Sequence, residues 1–225
     1  MPEQIEANKR KAALIVGVFA LTWFVIFAVV GVLLAGIVIG LVIGVVVSAA
    51  LTVAAYFASE PVALRRAHAV LADDEVKYAR FHNLVEGLCI GSGLPQPALY
   101  VVHDETPSAF ATGRTPKQAA LVVSTGMLDT MSRVELEGIL AHALSHIRNL
   151  DILPATISTT MTPIPSWREG YAGDTEYQAD AAGVQMTRYP PGLISALKKL
   201  DDGDGSTDAP ANPPIADRIR ALEAL

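Results

Sequence analysis

The fold of this chain is decided by a long stretch without a charged side chain, 12-AALIVGVFALTWFVIFAVVGVLLAGIVIGLVIGVVVSAALTVAAYFAS-59. One bilayer crossing takes about 20 apolar helical residues, so residues 12–59 are too long for one crossing and fit two. The sequence therefore predicts a transmembrane helical hairpin with a turn near 34–40. Four glycines allow either the turn itself or close helix packing: Gly31, Gly36, Gly40 and Gly44.

The charges divide the chain into regions of different chemistry. All 17 Lys and Arg and all 23 Asp and Glu lie outside the uncharged stretch, which gives the remainder the charge density of a water-soluble protein. Residues 60–225 have the size of one domain with its own core. We therefore expect an N-terminus over 1–11, the hairpin over 12–59 and one soluble domain over 60–225.

The basic residues that flank the hairpin predict its orientation. Lys9–Lys11 precede the first span and Arg65–Arg66 follow the second, so the positive-inside rule places both ends in the cytoplasm. The apolar core of a cleavable signal peptide is only about 7–15 residues long, which disfavours that alternative. A lone Cys89 cannot form an internal disulfide and fits a reducing compartment.

The charge balance excludes nucleic acid as a partner. The formal net charge is −6, and outside the two flanking groups of basic residues the chain has no Lys/Arg cluster. The partner that the composition does predict is the lipid bilayer.

Changes of hydrophobic period along residues 60–225 predict an α+β fold class. An amphipathic helix is expected over 72–88, ended by the breaker at 91–93. Three short segments rich in β-branched and aromatic residues predict strands at 98–102, 109–112 and 119–123. Ser132 and Glu135 form a capping-box signature that opens a helix over 133–148. The remaining predicted elements are helices near 175–186, 191–200 and 215–225 and a loop over 201–214.

The helix over 133–148 carries a candidate metal site in 141-AHALSH-146. His142 and His146 are four residues apart and project from one helical face, a geometry that suits a shared zinc ion. Such a pair alone is more often incidental. Glu176, on another predicted helix, can complete a three-ligand site, and its alternative interpretation is a solvated helix charge.

At this point the chain resembles a known family. The segment 135-ELEGILAHALSHIRNLDI-152, followed by 176-EYQAD-180, resembles the HtpX-like membrane zinc metallopeptidases, which are related to the CAAX prenyl proteases. The hairpin, the strand 109-AFATG-113 and the tail 213-PPIADRI-219 occur in the family's order. The resemblance implies a zincin-like catalytic domain with a small β-sheet and a metal-binding helix, and a membrane-anchored endopeptidase associated with membrane-protein quality control.

The resemblance also implies roles for individual residues around one zinc ion per chain. His142, His146 and Glu176 become its ligands, with a coordination position left for water. Asp180 becomes the carboxylate that holds a ligand histidine in its tautomer, with a plain helix charge as the alternative. Arg218 matches a basic residue that could stabilise the oxyanion, and a surface arginine is the alternative.

The same resemblance predicts how a substrate binds. The strand that begins at Ala109 matches the edge to which an unfolded or membrane protein substrate adds as an extra strand. The predicted substrate-binding residues are Ser108, Ala109, Phe110 and Ala111.

The chain departs from the family signature His-Glu-x-x-His at Ala143. The family's glutamate takes a proton from the attacking water, and a methyl group cannot, so we expect binding of zinc and peptide with very slow hydrolysis. An engineered inactivating substitution is one explanation. A natural pseudoprotease that binds peptides or partners is the other, and it is favoured by Ser108 and Asn212, where the family usually has Asn and His.

A second departure is the short connection over 147–175. HtpX-like proteins usually place two more transmembrane helices there, which these residues cannot form. The uncharged part, 152–167, contains Pro154, Pro163 and Pro165, and we expect a mobile loop at the membrane surface or over the cleft. A natural two-span variant and a deletion both fit.

Overall fold

Two long helices form the N-terminal hairpin of the computed structural model, which describes residues 2–74, 76–162, 173–202 and 213–224. Helix α1 spans Pro2–Ala35 and α2 spans Ile37–Arg66. Gly36 joins them with φ +88°, a value that glycine adopts without the steric penalty of a Cβ atom. The turn therefore lies where the sequence predicts it.

Small residues bring the two helices of the hairpin together. A Cβ atom on Gly31 would lie 2.7 Å from the Cα atom of Gly40, and one on Gly44 would lie 2.9 Å from the Cβ atom of Ala28. Most of the large aliphatic side chains face outward, and both helices are long and apolar enough to cross a membrane. The helices run through 11–12 and 59–60 without a break, so the region boundaries at those positions are changes of composition and stay predictions.

A four-stranded mixed sheet forms in the part of the chain that follows the hairpin. Its strands are β1 Val70–Leu71, β2 Ala98–Val102, β3 Ala109–Gly113 and β4 Ala119–Ser124. Their order is β1-β2-β4-β3, with β2 and β4 parallel and the other two pairs antiparallel. The three predicted strands are confirmed, and β3 lies at the edge of this sheet. Strand β1 was not predicted, because two residues are too few to show the alternation of a strand.

Helices cover the sheet and surround one central helix. They are α3 Ala79–Ser92, α4 Thr125–Thr130, α5 Arg133–Arg148, α6 Ile152–Met161, α7 Gly173–Thr187, α8 Pro190–Asp202 and α9 Ile215–Glu223. Leu136, Leu140 and Leu144 of α5 are fully buried in the main core. The core thus holds α5 rigidly, and α5 carries both candidate histidines.

Helix α3 begins later than the sequence predicts. The backbone N–H of Ala72 donates to the carbonyl of Leu99, so the chain extends β1 before it turns into the helix. At the other end α3 stops at Gly93, whose φ of +70° is a left-handed C-cap, as the predicted breaker requires.

The loop predicted over 152–167 is wrong for its first ten residues, which form α6. Pro154 lies in the first turn, where no intrahelical N–H bond is lost, so it does not break the helix. The hydroxyls of Ser158 and Thr159 donate to carbonyls three residues earlier, which satisfies them inside the helix. The apolar side chains Leu153 and Ile157 pack against α1. Thr162 is the C-cap of the helix, and residues 163–167 of that prediction, including Pro163 and Pro165, lie outside the described residues.

Candidate metal centre

The predicted ligands come together where α5 and α7 cross. His142 and His146 lie one turn apart on α5, and Glu176 projects from α7. A Cβ atom on Gly183 of α7 would lie 2.9 Å from the backbone nitrogen of His142, so only glycine permits this approach. All three candidate ligands therefore belong to one cluster.

The donor atoms lie close enough together to hold one metal ion. His142 Nε2 lies 3.2 Å from His146 Nε2 and 3.5 Å from Glu176 Oε2, and His146 Nε2 lies 3.7 Å from Glu176 Oε1. Metal–ligand bonds of about 2.0–2.2 Å place tetrahedral neighbours about 3.3–3.6 Å apart. The two histidines face different oxygens of Glu176, and the donor atoms, one from each residue, lie within 4.8 Å of one another. The three donors thus fit one metal ion. His142 is the most exposed of them, so the centre opens on its side.

Asp180 lies one turn after Glu176 and approaches the ring of His142. Its Oδ1 atom is 2.7 Å from His142 Nδ1, although the angle is poor for a hydrogen bond. Burial alone would raise the pKa of Asp180, but Arg218 and His142 lower it to about 2. An ionised carboxylate beside Nδ1 favours the tautomer whose Nε2 can bind a metal.

Arg218 reaches the cluster from α9 and is buried, so the alternative of a surface arginine is wrong. Its guanidinium donates to both carboxylate oxygens of Asp180, and its Nη1 lies 3.3 Å from Glu176 Oε2. Burial would lower the pKa of Arg218, but these carboxylates raise it. The arginine therefore compensates the negative charge behind the ligands. Its oxyanion role stays a prediction.

A second carboxylate, that of Asp151, holds the other histidine and was missed by sequence analysis. His146 Nδ1 and Asp151 Oδ2 are 3.0 Å apart, and both residues are buried. Burial lowers the pKa of His146 against the opposing effect of Asp151, which favours a neutral ring able to bind a metal. Each histidine thus has its own carboxylate.

The turn after α5 explains how Asp151 reaches back to His146. The N–H of Asp151 donates to the carbonyl of His146, and the N–H of Leu150 donates to that of Ile147, the pair of bonds that defines a Schellman motif. Leu150 has φ +58° at the position that glycine usually occupies. The sequence signal was weak because Leu150 is not a helix-ending glycine.

The predicted substrate strand lies against α5 and α6. Ser108 is exposed and tied to the end of β4, since its N–H donates to Ser124 Oγ and its carbonyl accepts from Ser124 N–H. Ala109, Phe110 and Ala111 pair with β4. The structure therefore places Ala109–Ala111 on the edge strand beside the helix that carries the histidines, with Ser108 directly before that strand.

The structure does not describe all the residues that differ from the family pattern. Ala143 is buried on α5 between the two histidines, and its methyl group brings no acid or base to the centre. Asn212 lies outside the described residues. The apolar hairpin and the His-His-Glu cluster together have the architecture of a membrane-anchored metallopeptidase.

Comparisons with known proteins identify the family. Residues 75–168 match the model of peptidase family M48. The Protease HtpX homolog of Dictyoglomus thermophilum is 30% identical over 287 aligned residues, which span 99% of this chain and 94% of the relative. The homologs of Dictyoglomus turgidum and Lactobacillus helveticus are 33% and 28% identical, over 88% and 99% of this chain and 78% and 99% of their own. The chain therefore belongs to the HtpX-like metallopeptidases of family M48.

The first of these alignments is longer than the chain itself. The Dictyoglomus thermophilum relative consequently contains residues that have no counterpart here. This chain is therefore shorter than that relative over the aligned region.

Proposed function

We propose that this chain is a membrane-anchored zinc endopeptidase scaffold of the HtpX type, which binds zinc and peptide but hydrolyses slowly because of Ala143. The observation that carries the proposal is the cluster of His142, His146 and Glu176, whose donor atoms, one from each residue, lie within 4.8 Å of one another. As the resemblance implies, its place is the proteolytic quality control of membrane proteins.

Some residues of the centre would bind the metal ion, and others orient the side chains that bind it. Zinc bound here would polarise a scissile carbonyl and acidify a water molecule. His142 and His146 offer Nε2, with Asp180 and Asp151 behind their rings to fix the tautomers. The guanidinium of Arg218 balances the charge of the carboxylates. Its Nη1 atom lies 3.3 Å from Glu176 Oε2, which supports the proposed role at an oxyanion.

The missing function is that of the general base. In the family a glutamate carboxylate at position 143 accepts a proton from the attacking water. General bases contribute about 10²–10⁴-fold to a rate, so the loss predicted for this chain is of that order. Ligand binding does not need that glutamate, which is why metal and peptide binding should persist.

The substrate in this proposal is a peptide segment of an unfolded or membrane protein. It adds along Ala109–Ala111 of β3, with Ser108 at the start of the site. Support comes from the position of β3 at the sheet edge and from its packing against α5.

The catalytic domain in this proposal faces the cytoplasm. Lys9, Arg10 and Lys11 are exposed at the start of α1, and Arg65 and Arg66 are exposed at the end of α2. Because the basic residues of short flanking segments remain on the cytoplasmic side, both ends of the hairpin belong there.

Restoring the base tests the proposal. Ala143→Glu should cleave casein in detergent at about 10²–10⁴ times the parent rate, and the activity should disappear on chelation and in the Ala143→Glu/His146→Ala control. Zinc per chain, measured in parent and His146→Ala protein, should be about one and about zero. A folded Ala143→Glu protein with zinc bound and no gain in cleavage would contradict the endopeptidase proposal.

A second candidate is a non-catalytic pseudoprotease that uses the cleft to hold peptides or partners. The observation that favours it is Ala143 together with Ser108 and Asn212, which stand where the family usually has other residues. It predicts binding of a casein peptide by the Ala143→Glu protein with no turnover. Cleavage by that variant would rule it out.

A further inference from the structure

The cytoplasmic end of the membrane anchor contacts the metal centre through one asparagine. The side-chain amide of Asn8 donates to Asp151 Oδ1 at 2.6 Å and to the carbonyl of Asn149 at 3.2 Å. The other carboxylate oxygen of Asp151 faces His146 Nδ1. A continuous polar chain therefore leads from the first helix of the anchor to a candidate metal ligand.

The burial pattern of α1 sets Asn8 apart from its neighbours. Asn8 is 8% exposed, whereas Ala7 and the basic residues that follow it are exposed. Ala12, one turn later on the same face, is also buried and packs with Leu153 and Ile157 of α6. This face of α1 is thus docked on the segment that begins with Asp151.

Both protons of the Asn8 amide are used to fix the end of α5. One bond holds the carboxylate of Asp151, and the other holds the carbonyl of Asn149, the C-cap residue of α5. Gln4, one turn earlier on α1, approaches the same carboxylate oxygen at 3.4 Å. A carboxylate fixed at one oxygen has little freedom to turn its second oxygen away from His146.

We propose that Asn8 is a positioning residue of the metal centre, which acts through Asp151 to fix the ring of His146. The proposal rests on the proposed function, in which His146 is a zinc ligand. The membrane anchor then contributes to the metal centre as well as to its attachment, so that zinc affinity depends on how α1 is docked. An asparagine that merely joined two helices would change the stability of the fold and leave zinc affinity alone.

The test measures zinc affinity of the full chain in detergent by competition with a chromophoric chelator. Removal of groups behind a metal-bound histidine typically costs 10–100-fold in affinity. Asn8→Ala should weaken zinc binding about 10-fold, and Asp151→Ala by at least as much. The double variant should be no weaker than Asp151→Ala, because Asn8 then has no carboxylate left to hold.

An exchange of the two side chains separates positioning from packing. Asn8→Asp alone sets two carboxylates against each other and should weaken zinc binding. Asp151→Asn added to it restores one donor and one acceptor in the opposite order and leaves an amide oxygen for His146, so it should recover part of the affinity, while the bond to the carbonyl of Asn149 stays lost. The visible absorption of bound Co²⁺ should change in Asn8→Asp and return toward that of the parent in the exchanged pair.

The matched control loosens the anchor elsewhere. Thr160 Oγ1 donates to the carbonyl of Ala55, so Thr160→Val removes a contact between α6 and α2 that does not involve Asp151. It should lower the melting temperature with zinc affinity unchanged. Asn8→Ala with parental zinc affinity, or an exchanged pair no better than Asn8→Asp, would overturn the proposal. A parent that binds no zinc would instead overturn the proposed function on which it rests.

Discussion

Arg218 and Asp180 meet in a two-point contact, with Nε 2.7 Å from Oδ2 and Nη2 2.6 Å from Oδ1. The contact joins α9, near the end of the chain, to α7 directly behind the metal ligands. Since both side chains are buried, each charge depends on the other for compensation. The pair therefore determines whether Asp180 can remain ionised next to His142.

Removing the guanidinium should damage both stability and metal binding. Breaking a buried ion pair by deleting one partner costs about 3–5 kcal/mol, because the other charge is left uncompensated. We expect Arg218→Gln to lower the free energy of unfolding by an amount of this order and to weaken zinc binding. Thermal unfolding in detergent and zinc content measure the two effects.

Arg218→Lys is the matched variant, since it keeps the charge but loses the planar two-point geometry. It should lie between the parent and Arg218→Gln in both measurements. In an Ala143→Glu background it also tests the oxyanion role, which predicts a lower kcat with zinc still bound. Parental stability in Arg218→Gln would contradict the structural role of the pair.

The approach of α7 to α5 should be intolerant of a single methyl group. Gly183→Ala places a Cβ atom 2.9 Å from the nitrogen and 3.1 Å from the Cα atom of His142, so the helices must separate. Overpacking of this kind costs about 1–3 kcal/mol. We expect a lower melting temperature and about 10-fold weaker zinc binding, since separation moves Glu176 away from the histidines.

Gly87→Ala is the control for this prediction. Gly87 lies in α3, and nothing stands within 4 Å of its added Cβ atom. The substitution should stabilise the protein by up to about 1 kcal/mol through helix propensity, with zinc affinity unchanged. Equal behaviour of the two alanine variants would show that the helices are not in close contact at His142.

Acid should destabilise the capped start of α5 through Glu135. Its carboxylate accepts hydrogen bonds from Ser132 N–H, Ser195 Oγ and Lys199 Nζ. Burial alone would raise the pKa of Glu135, but these bonds lower it to about 2 from an ordinary value of 4.5. A depressed pKa stabilises the fold above about pH 4.5, and the contribution is lost as the pH falls toward 2.

Glu135→Gln should therefore melt below the parent at neutral pH, and the gap should narrow as the pH falls below about 4.5. Asp180 titrates in the same range in both proteins, so the difference between them isolates Glu135. Glu86→Gln, on the exposed face of α3, should match the parent throughout. A gap between parent and Glu135→Gln that stays constant with pH would contradict the ionised cap.

Local sequence patterns predict those parts of the site that lie within a single helix or strand. The four-residue spacing of His142 and His146 follows from helical periodicity, and the capping box fixes where α5 begins. Strand β4 was predictable because its first five residues form a continuous apolar run. Glu176 was a candidate third ligand from its place on another predicted helix, and the family resemblance favoured that role over a solvated helix charge.

Contacts between distant segments were beyond sequence analysis. Asn8 and Asp151 are 143 positions apart, and nothing in the composition of either segment points to the other. Helix α6 was mistaken for a loop because its hydroxyls and Pro154 weaken the helical signal. Its stability comes from packing against the hairpin, as the buried side chains of Leu153 and Ile157 show.

The packing of α6 determines how the protein can be divided. A fragment made by cutting after α2 would expose Leu153 and Ile157 to water, at about 1.5–3 kcal/mol for each side chain. Thr159 and Thr160 would also lose the carbonyls of Ser59 and Ala55 that accept their hydroxyls. Such a fragment would expose an apolar surface that favours aggregation. A fragment without the hairpin would therefore still need detergent or a bilayer to cover this surface.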